Sequence, residues 1–201
     1  MAPLPDEAAV ARTYDAVAES YDGHVEDLPH HEIVAGLLLA ALGDSPQRLL
    51  DLACATGISS DRFFELGWSV TGVDVSPGMI REAGKRPFDR LVCQNLELPL
   101  ELGPERFDAA ILASAMELIG DPHAVFRNVH AALRPGGAFA VTVPMNEVPT
   151  AGKLEVRAYS PGEVTELVAD TGFVVRDETS FVAWEYEGKP ANYTAFLLSR
   201  E

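Results

Sequence analysis

Apolar residues recur along this chain with two different spacings. In the first 43 residues they are three or four positions apart, which is typical of amphipathic helices. This spacing predicts helices over residues 6–21 and 31–42, the second ending at Gly43 as a C-cap. From Arg48 onward, short apolar runs alternate with segments of helix length, so we expect strands and helices to alternate there.

The alternating part predicts five strands with helices between them. The strands are 49–53, 69–75, 90–94, 107–113 and 138–143, and the helices are 59–66, 77–85 and 121–133. Strand-to-helix-to-strand alternation needs crossover connections, which make the strands parallel and place helices on both faces of the sheet.

The last part of the chain has a different pattern. A predicted helix over 160–171, closed by Gly172, precedes two strands, 173–186 and 192–199, which the short segment EGKP joins. Strands joined so closely pair antiparallel. The expected fold class is therefore α/β: a doubly wound, Rossmann-like, mostly parallel seven-stranded sheet with a C-terminal antiparallel hairpin.

Composition and charge narrow the function. With 201 residues, 47% of them hydrophobic, the chain can bury one substantial core, so we expect one domain over 1–201. The formal charge of −16 repels nucleic acid and anionic membranes. The first residues of the chain lack the pattern of a secretion signal, and the longest apolar run, 33–42, is too short to cross a bilayer. Two cysteines make neither a disulfide framework nor a zinc site, so we expect a cytoplasmic protein without a metal.

Candidate chemistry lies where the first two predicted strands of the sheet end. The first strand runs into LDLACATG, residues 50–57, where the small residues Ala53, Ala55 and Gly57 let a ligand approach the backbone. Asp74 closes the next strand in GVDVSPGMI, and a carboxylate there can accept hydrogen bonds from ribose hydroxyls. Because ligands bind beyond the carboxyl ends of parallel strands, this pair indicates a nucleoside-bearing cofactor.

The spacing of the small residues helps to distinguish the possible cofactors. A dinucleotide site needs G-x-G-x-x-G, whereas here the small residues are two apart and follow Asp51, which would repel a pyrophosphate. LDLACATG instead resembles the first motif, commonly D-x-G-x-G-x-G, of the class I S-adenosylmethionine-dependent methyltransferases of small molecules. Other stretches share that resemblance: YDAVAESYD, GVDVSPGMI, NLELPL, FDAAILASAMELIGDP, LRPGG and YSPGEVTELVADTGF. The arrangement is similar, more narrowly, to the Williams–Beuren region methyltransferase-like proteins.

The resemblance implies roles for the residues around both strand ends. Asp51 would orient the amino end of the cofactor, directly or through water, and Asp74 would hold the ribose. The other implied cofactor contacts are the backbone of Ala53, Cys54, Ala55 and Gly57 along the methionine part, Val75 and Met79 on the adenine, Asn95 and Leu96 at its polar edge, and Ala113 and Ser114 beside the methionine. Residues 1–43 would form a helical lid over a cofactor-binding core of 44–201.

Tyr14 and Tyr21 lie seven positions apart, on one face of the predicted first helix. Their rings are suited to a sulfonium by cation–π attraction, although simple core packing explains the same spacing. Ala53 and Ala55 stand where the family usually has glycine, so a positive φ at either position would strain an alanine.

Leu118 occupies the position where many relatives have a histidine, so the resemblance supplies no familiar catalytic base. If the acceptor is a hydroxyl, a base is needed, and His24 is the candidate. An amine or an activated carbon as the acceptor needs no base.

The predicted function is methyl transfer from S-adenosyl-L-methionine to a small molecule. Three alternatives stay open at this point: a protein that uses S-adenosylmethionine structurally, as a non-methylating cyclase or regulator; a dinucleotide oxidoreductase; and a binding or scaffold protein without cofactor. The sequence identifies neither the acceptor nor the oligomeric state.

Overall fold

The computed structural model describes residues 4–45, 47–103, 106–147 and 154–201. Its centre is a seven-stranded sheet with the strand order β3-β2-β1-β4-β5-β7-β6. The strands are β1 (Arg48–Leu52), β2 (Ser69–Asp74), β3 (Arg90–Cys93), β4 (Phe107–Leu112), β5 (Leu133–Pro144), β6 (Phe173–Tyr186) and β7 (Lys189–Arg200). Strands β1 to β5 are parallel, while β7 pairs antiparallel with both β5 and β6. The predicted fold class is confirmed.

Helices cover both faces of the sheet. They are α1 (Glu7–Asp15), α2 (Asp22–Val25), α3 (His30–Leu42), α4 (Asp61–Glu65), α5 (Pro77–Ala83), α6 (Pro122–Ala132) and α7 (Pro161–Asp170). Three short 3₁₀ turns are at Ala18–Ser20, Ile58–Ser60 and Met116–Leu118. Within the described ranges no helix is long and apolar enough to pass through a membrane.

Side-chain caps explain where several helices begin. Asp6, Ser76 and Asp121 each accept a hydrogen bond from the backbone N–H three residues on. Ser160 and Glu163 form a reciprocal capping box at the start of α7. Predicted helix starts are accordingly within a few residues of the observed ones.

The hydrophobic core lies in two layers, one on each face of the sheet. Successive residues of β1 point to opposite faces, so Leu49 packs with α3 and α4 whereas Leu50 packs with α6 and α7. Because both faces are covered, the central strands are almost continuously apolar. Helix α3 packs against β5, in the same layer as Leu49. Residues of the segment before α3, in contrast, lie at the carboxyl ends of the strands.

The first predicted helix is wrong beyond Asp15. The chain leaves the α-helix at Ala16, and Val17, with φ −117°, leads into the 3₁₀ turn. Tyr14 and Tyr21 therefore do not share one helix face, although the bend still brings their ring centroids to 6.1 Å. The bend accompanies hydrogen bonds from the Asp15 side chain to the start of α5, a partner distant in the sequence.

Two strand boundaries differ from the prediction because of local irregularities. Strand β5 already pairs at Leu133, and residues 134–137 form a bulge before regular pairing resumes at Ala138. Strand β7 starts at Lys189, so the hairpin turn is only Glu187 and Gly188, with φ of 51° and 74°. Two consecutive positive φ angles are what a tight two-residue hairpin requires.

Candidate functional site

A cavity of about 260 Å³ lies beyond the carboxyl ends of β1, β2 and β4, under the N-terminal segment. Strand β1 is flanked by β2 on one side and β4 on the other, so this is the point where the strand order reverses and where such sheets bind ligands. The lining residues are Leu4, Pro5, Asp6, Glu7, Val10, Tyr14, Tyr21, Ala53, Ala55, Asp74, Val75, Asn95, Leu96, Glu97, Ala113, Ser114, Ala115, Leu118, Ile119 and Gly120.

The turn after β1 has the backbone strain that the sequence predicted. Ala53 and Ala55 have φ of 50° and 47°, and both line the cavity. Left-handed φ costs a residue with a Cβ about 1–2 kcal/mol, and such strain concentrates at functional sites. Gly57, with φ 96°, was expected along the cofactor together with these alanines. It faces the Phe88 ring and does not line the cavity.

Asp74 joins the two strand ends. Its Oδ2 accepts a hydrogen bond from the Ala55 N–H at 2.9 Å, and its Oδ1 accepts one from the Ser76 N–H at 2.8 Å. Burial raises the pKa of Asp74, and these backbone donors oppose that shift. Each carboxylate oxygen keeps a further lone pair, so Asp74 can still accept hydrogen bonds from a ligand in the cavity that it lines.

Asp51 and Met79 line neither cavity of the site, and Cys54 lines only the smaller one described below. Asp51 is buried and accepts a hydrogen bond from Ser60 Oγ at 2.6 Å, and burial raises its pKa to about 7. Asp51 therefore does not line the cavity, and its expected action on an amino group, directly or through water, stays a prediction. Met79 is fully buried beside Ala55 and does not line the cavity either, so its expected packing on the adenine also stays a prediction.

The motif YDAVAESYD contributes both a wall and an attachment. Tyr14 and Tyr21 line the cavity with their rings in an edge-to-face arrangement, and burial raises the pKa of both phenols. The two acids hold the segment in place. Asp15 Oδ1 accepts hydrogen bonds from Ser76 Oγ at 2.5 Å and from the Gly78 N–H at 2.7 Å, and these bonds lower the pKa of Asp15.

Asp22 forms the second attachment of this segment. Its carboxylate accepts hydrogen bonds from Thr56 Oγ1 and from Arg86 Nη2, the latter at 2.9 Å, and together they lower its pKa against the effect of burial. Arg86 also donates to Asp61 and to the carbonyl of Thr56, each at 2.8 Å. Neither acid was predicted to attach the segment, although the repeated Tyr-Asp pair in YDAVAESYD marks both positions in the sequence.

The adenine side of the cavity is close to expectation. Val75, Asn95 and Leu96 all line it. The Asn95 amide is already engaged, because its Nδ2 donates to Glu7 Oε2 at 3.0 Å and its Oδ1 accepts from the Glu97 N–H at 2.9 Å. Asn95 therefore connects the N-terminal segment to the loop after β3.

A second, much smaller cavity of about 20 Å³ adjoins the first, with enough room for one water-sized group. Ala113 and Ser114, predicted beside the methionine part, line both cavities. The small cavity is lined by Tyr21, Val25, Leu28, His30, His31, Ala53, Cys54, Ala55, Ile58, Ser59, Ala113 and Ser114. The residues that it shares with the first cavity are Tyr21, Ala53, Ala55, Ala113 and Ser114.

The candidate base His24 is not part of either cavity. It is exposed on α2, with Nδ1 2.7 Å from the Ser20 carbonyl oxygen. His31 lines the small cavity, but its two ring nitrogens contact Ser59 Oγ and the Val25 carbonyl. His30 and Glu117, in contrast to His24, are buried beside the site.

Metal ligands are not grouped here. Within the described part of the chain, no three His, Cys, Asp or Glu side chains come together in a way that could hold an ion.

The known proteins that this chain resembles in sequence are methyltransferases. Residues 50–141 match the family model described as Methyltransferase domain. The chain is 35% identical over 141 residues to malonyl-[acyl-carrier protein] O-methyltransferase of Pseudescherichia vulneris, covering 69% of this chain and 55% of that protein. It is 29% identical over 140 residues to demethylmenaquinone methyltransferase of Corynebacterium kroppenstedtii, covering 66% and 58%. These matches span little more than half the length of the two relatives.

Solved structures share the fold over nearly the whole chain. Didemethyltoxoflavin N1-methyltransferase of Burkholderia thailandensis, crystallised with S-adenosylhomocysteine, superposes with a TM-score of 0.74 at 24% identity, covering 100% of this chain and 92% of that one. The [4+2]-cyclase SpnF superposes with a TM-score of 0.78 at 18% identity, covering 98% of each.

Proposed function

Because the chain belongs to the class I S-adenosylmethionine-dependent methyltransferases, we propose that it transfers the methyl group of S-adenosylmethionine to a small-molecule acceptor. One observation carries the proposal. The acid that ends β2, the strained turn that follows β1 and the two tyrosines of the N-terminal segment all line a single cavity. The narrower likeness to Williams–Beuren region proteins stays a prediction.

The residues of the cavity fit the parts of this cofactor. Asp74 offers carboxylate lone pairs to the ribose hydroxyls, and Val75 and Leu96 offer apolar surface to the adenine. Tyr14 and Tyr21 offer aromatic rings to the sulfonium. When bound, S-adenosylmethionine supplies a methyl group that is already activated, so the protein mainly has to align the acceptor and exclude water.

The N-terminal segment is suited to excluding water. Its hydrogen bonds through Asp15 and Asp22 end on the loops that form the cavity, at Ser76 and Thr56. We regard residues 1–43 as a lid in which the part before α3 covers the cofactor. The relatives and the structural neighbour are named for malonyl-[acyl-carrier protein], demethylmenaquinone and 1,6-didemethyltoxoflavin. The second and third are small molecules, whereas the first is a group carried on a protein. The charge of −16 argues against nucleic acid as the acceptor.

The family assignment removes the support for a dinucleotide oxidoreductase. A protein that binds the cofactor without methylating is favoured by one finding, the superposition on the [4+2]-cyclase SpnF. The two functions differ in the fate of the cofactor. A methyltransferase converts S-adenosylmethionine to S-adenosylhomocysteine as its product forms, whereas a cyclase leaves the cofactor unchanged.

Binding and label transfer test the proposal in sequence. We expect S-adenosylhomocysteine at a hundred times its Kd to stabilise the folded chain by about 2.7 kcal/mol, and NAD⁺ to give no stabilisation. With methyl-labelled S-adenosylmethionine and a low-molecular-weight metabolite extract, we expect label in the small-molecule fraction. Binding without any label transfer would favour the non-methylating alternative, and no binding would contradict the proposal altogether.

A further inference from the structure

Five polar side chains form a closed ring of contacts behind the junction of the two cavities: His30, Thr142, Ser114, Glu117 and Tyr193. His30 Nδ1 lies 3.2 Å from Thr142 Oγ1, which accepts the Ser114 N–H at 2.8 Å. Ser114 Oγ donates to Glu117 Oε1 at 3.4 Å, and Tyr193 Oη donates to the same oxygen at 3.2 Å. The Tyr193 ring completes the circuit, packing edge-on against His30 at 4.6 Å between centroids.

Two atoms of this ring have no partner. Glu117 Oε2 and His30 Nε2 are buried and make no hydrogen bond within the described residues. Glu117 is 8% exposed and His30 is fully buried. An unsatisfied buried polar group is costly, so a group of this kind beside a ligand cavity indicates a functional use.

Ser114 connects the ring to the site. It is the only member that lines both cavities, and its backbone is held at φ 56°, the third left-handed non-glycine residue at this site after Ala53 and Ala55. This conformation is unfavourable for serine, and such strain concentrates at functional sites. It places Ser114 in the wall between the cofactor cavity and the small cavity.

We propose that Ser114 and Glu117 form a proton relay for a hydroxyl group held against Ser114, where the two cavities meet, which makes the methyl acceptor a hydroxylated compound such as a phenol or an enol. This inference rests on the proposed function. The acceptor hydroxyl donates to Ser114 Oγ, and Ser114 in turn donates to the Glu117 carboxylate.

The step balances in atoms and charge. The acceptor oxygen forms a bond to the methyl carbon while the carbon–sulfur bond breaks, and its electron pair stays on sulfur. The acceptor proton passes to Ser114 Oγ as the serine proton passes to Glu117, which becomes a neutral acid. Positive sulfur and negative carboxylate are thus both neutralised, a favourable change in a buried site. Burial raises the pKa of Glu117, so its carboxylate is a stronger base than an exposed one.

His30 acts on the relay as a positioning residue. Burial, and to a smaller extent the neighbouring His31, lowers its pKa to about 3, so it stays neutral. Thr142 Oγ1 already accepts the Ser114 N–H, which leaves its own hydrogen for His30 Nδ1. His30 therefore orients Thr142, and Thr142 fixes the backbone of Ser114.

Fluorinated phenols test the relay through both binding and reaction. 4-Fluorophenol needs a base to lose its proton, whereas pentafluorophenol is already ionised at neutral pH. Their methyl ethers give distinct ¹⁹F resonances, so one NMR experiment follows each reaction. The variants are Glu117→Gln, which keeps the shape of the side chain but cannot take the proton, and Ser114→Ala; Glu166→Gln, on the exposed side of α7, is the control.

We expect Glu117→Gln to methylate 4-fluorophenol about 100-fold more slowly than the control, and pentafluorophenol within about threefold of it. In the presence of S-adenosylhomocysteine, wild-type protein should bind 4-fluorophenol about fivefold more tightly than 4-fluoroanisole, which has no hydroxyl hydrogen, and Ser114→Ala should lose that preference. The Kd of S-adenosylhomocysteine should change by less than about twofold in Glu117→Gln.

Three results would overturn the relay: equal slowing of both phenols in Glu117→Gln, an unchanged preference for 4-fluorophenol in Ser114→Ala, or no binding of 4-fluorophenol by wild-type protein that does bind S-adenosylhomocysteine. In each case the proposed function survives. Wild-type protein that fails to bind S-adenosylhomocysteine at all would overturn the proposed function and the relay together.

Discussion

Gly57 supports the cofactor turn from behind, and replacing it by alanine measures that support. Its φ is 96°, in the region where a Cβ is strained. A Cβ at this position would lie 2.5 Å from Cε2 and 2.9 Å from Cζ of Phe88. The Phe88 ring has little room to move, because it also packs edge-on against Phe64 at 4.9 Å and lies close to Gly72. Gly57→Ala therefore combines backbone strain with a steric overlap.

The size of the effect follows from these two causes. Left-handed φ costs an alanine about 1–2 kcal/mol, and overpacking of this kind costs about 1–3 kcal/mol. The smaller entropy of the unfolded alanine chain offsets about 0.4–1 kcal/mol. The free energy of unfolding should therefore fall by about 1–5 kcal/mol.

Gly188→Ala is the matched control. Gly188, in the hairpin turn, also has a positive φ, 74°, but nothing lies within 4 Å of a Cβ placed there. Its replacement should cost only about 1 kcal/mol. Urea denaturation of both variants measures the difference, and Phe88→Leu added to Gly57→Ala should recover part of the loss. Equal destabilisation by the two alanines would refute the steric argument.

Three further predictions concern the lid and the buried histidine. Asp15→Asn removes a carboxylate whose pKa is held below 3.8. Wild type should therefore have a larger free energy of unfolding than this variant above pH 3.8, and the difference should disappear as the pH falls further. A difference that persists in acid would contradict the hydrogen bonds to Ser76 and Gly78. His30 has a pKa of about 3 in the folded protein, compared with an ordinary value of 6.5, so unfolding below pH 6.5 takes up a proton. The free energy of unfolding of wild type should therefore fall by up to about 1.4 kcal/mol per pH unit below pH 6.5. His30→Leu should reduce this slope, which denaturant titrations at several pH values would measure. Arg86→Ala removes the ion pairs that Arg86 forms with Asp22 and Asp61 and should weaken S-adenosylhomocysteine binding about fivefold by calorimetry. Arg62→Ala, which breaks an exposed pair with Glu65, should leave this binding unchanged.

The sequence was sufficient for features that depend on local pattern. The seven strands follow from apolar runs, and the place of the site follows from where the first two strands of the sheet end. The glycine that is usual at positions 53 and 55 indicated only that a positive φ there would strain an alanine, and the structure gives both residues a positive φ. These features need only neighbouring residues and the general geometry of parallel sheets.

Features that depend on distant partners could not be predicted in the same way. The first helix ends early where Asp15 bonds to Ser76 and Gly78, more than 60 positions away in the sequence. His24 was preferred over His30 because nothing near either residue reveals its burial. His30 is enclosed by Phe181, Trp184 and Tyr193, which the C-terminal hairpin supplies.

The most direct test of the account is calorimetric titration of S-adenosylhomocysteine into wild-type protein and into Asp74→Asn, with thermal unfolding to confirm that the variant is folded. The account predicts one site per wild-type chain and binding weaker in the variant by about 1.5–3 kcal/mol. A folded wild-type protein that does not bind, or a Kd that Asp74→Asn leaves unchanged, would contradict the assignment of this acid to the ribose.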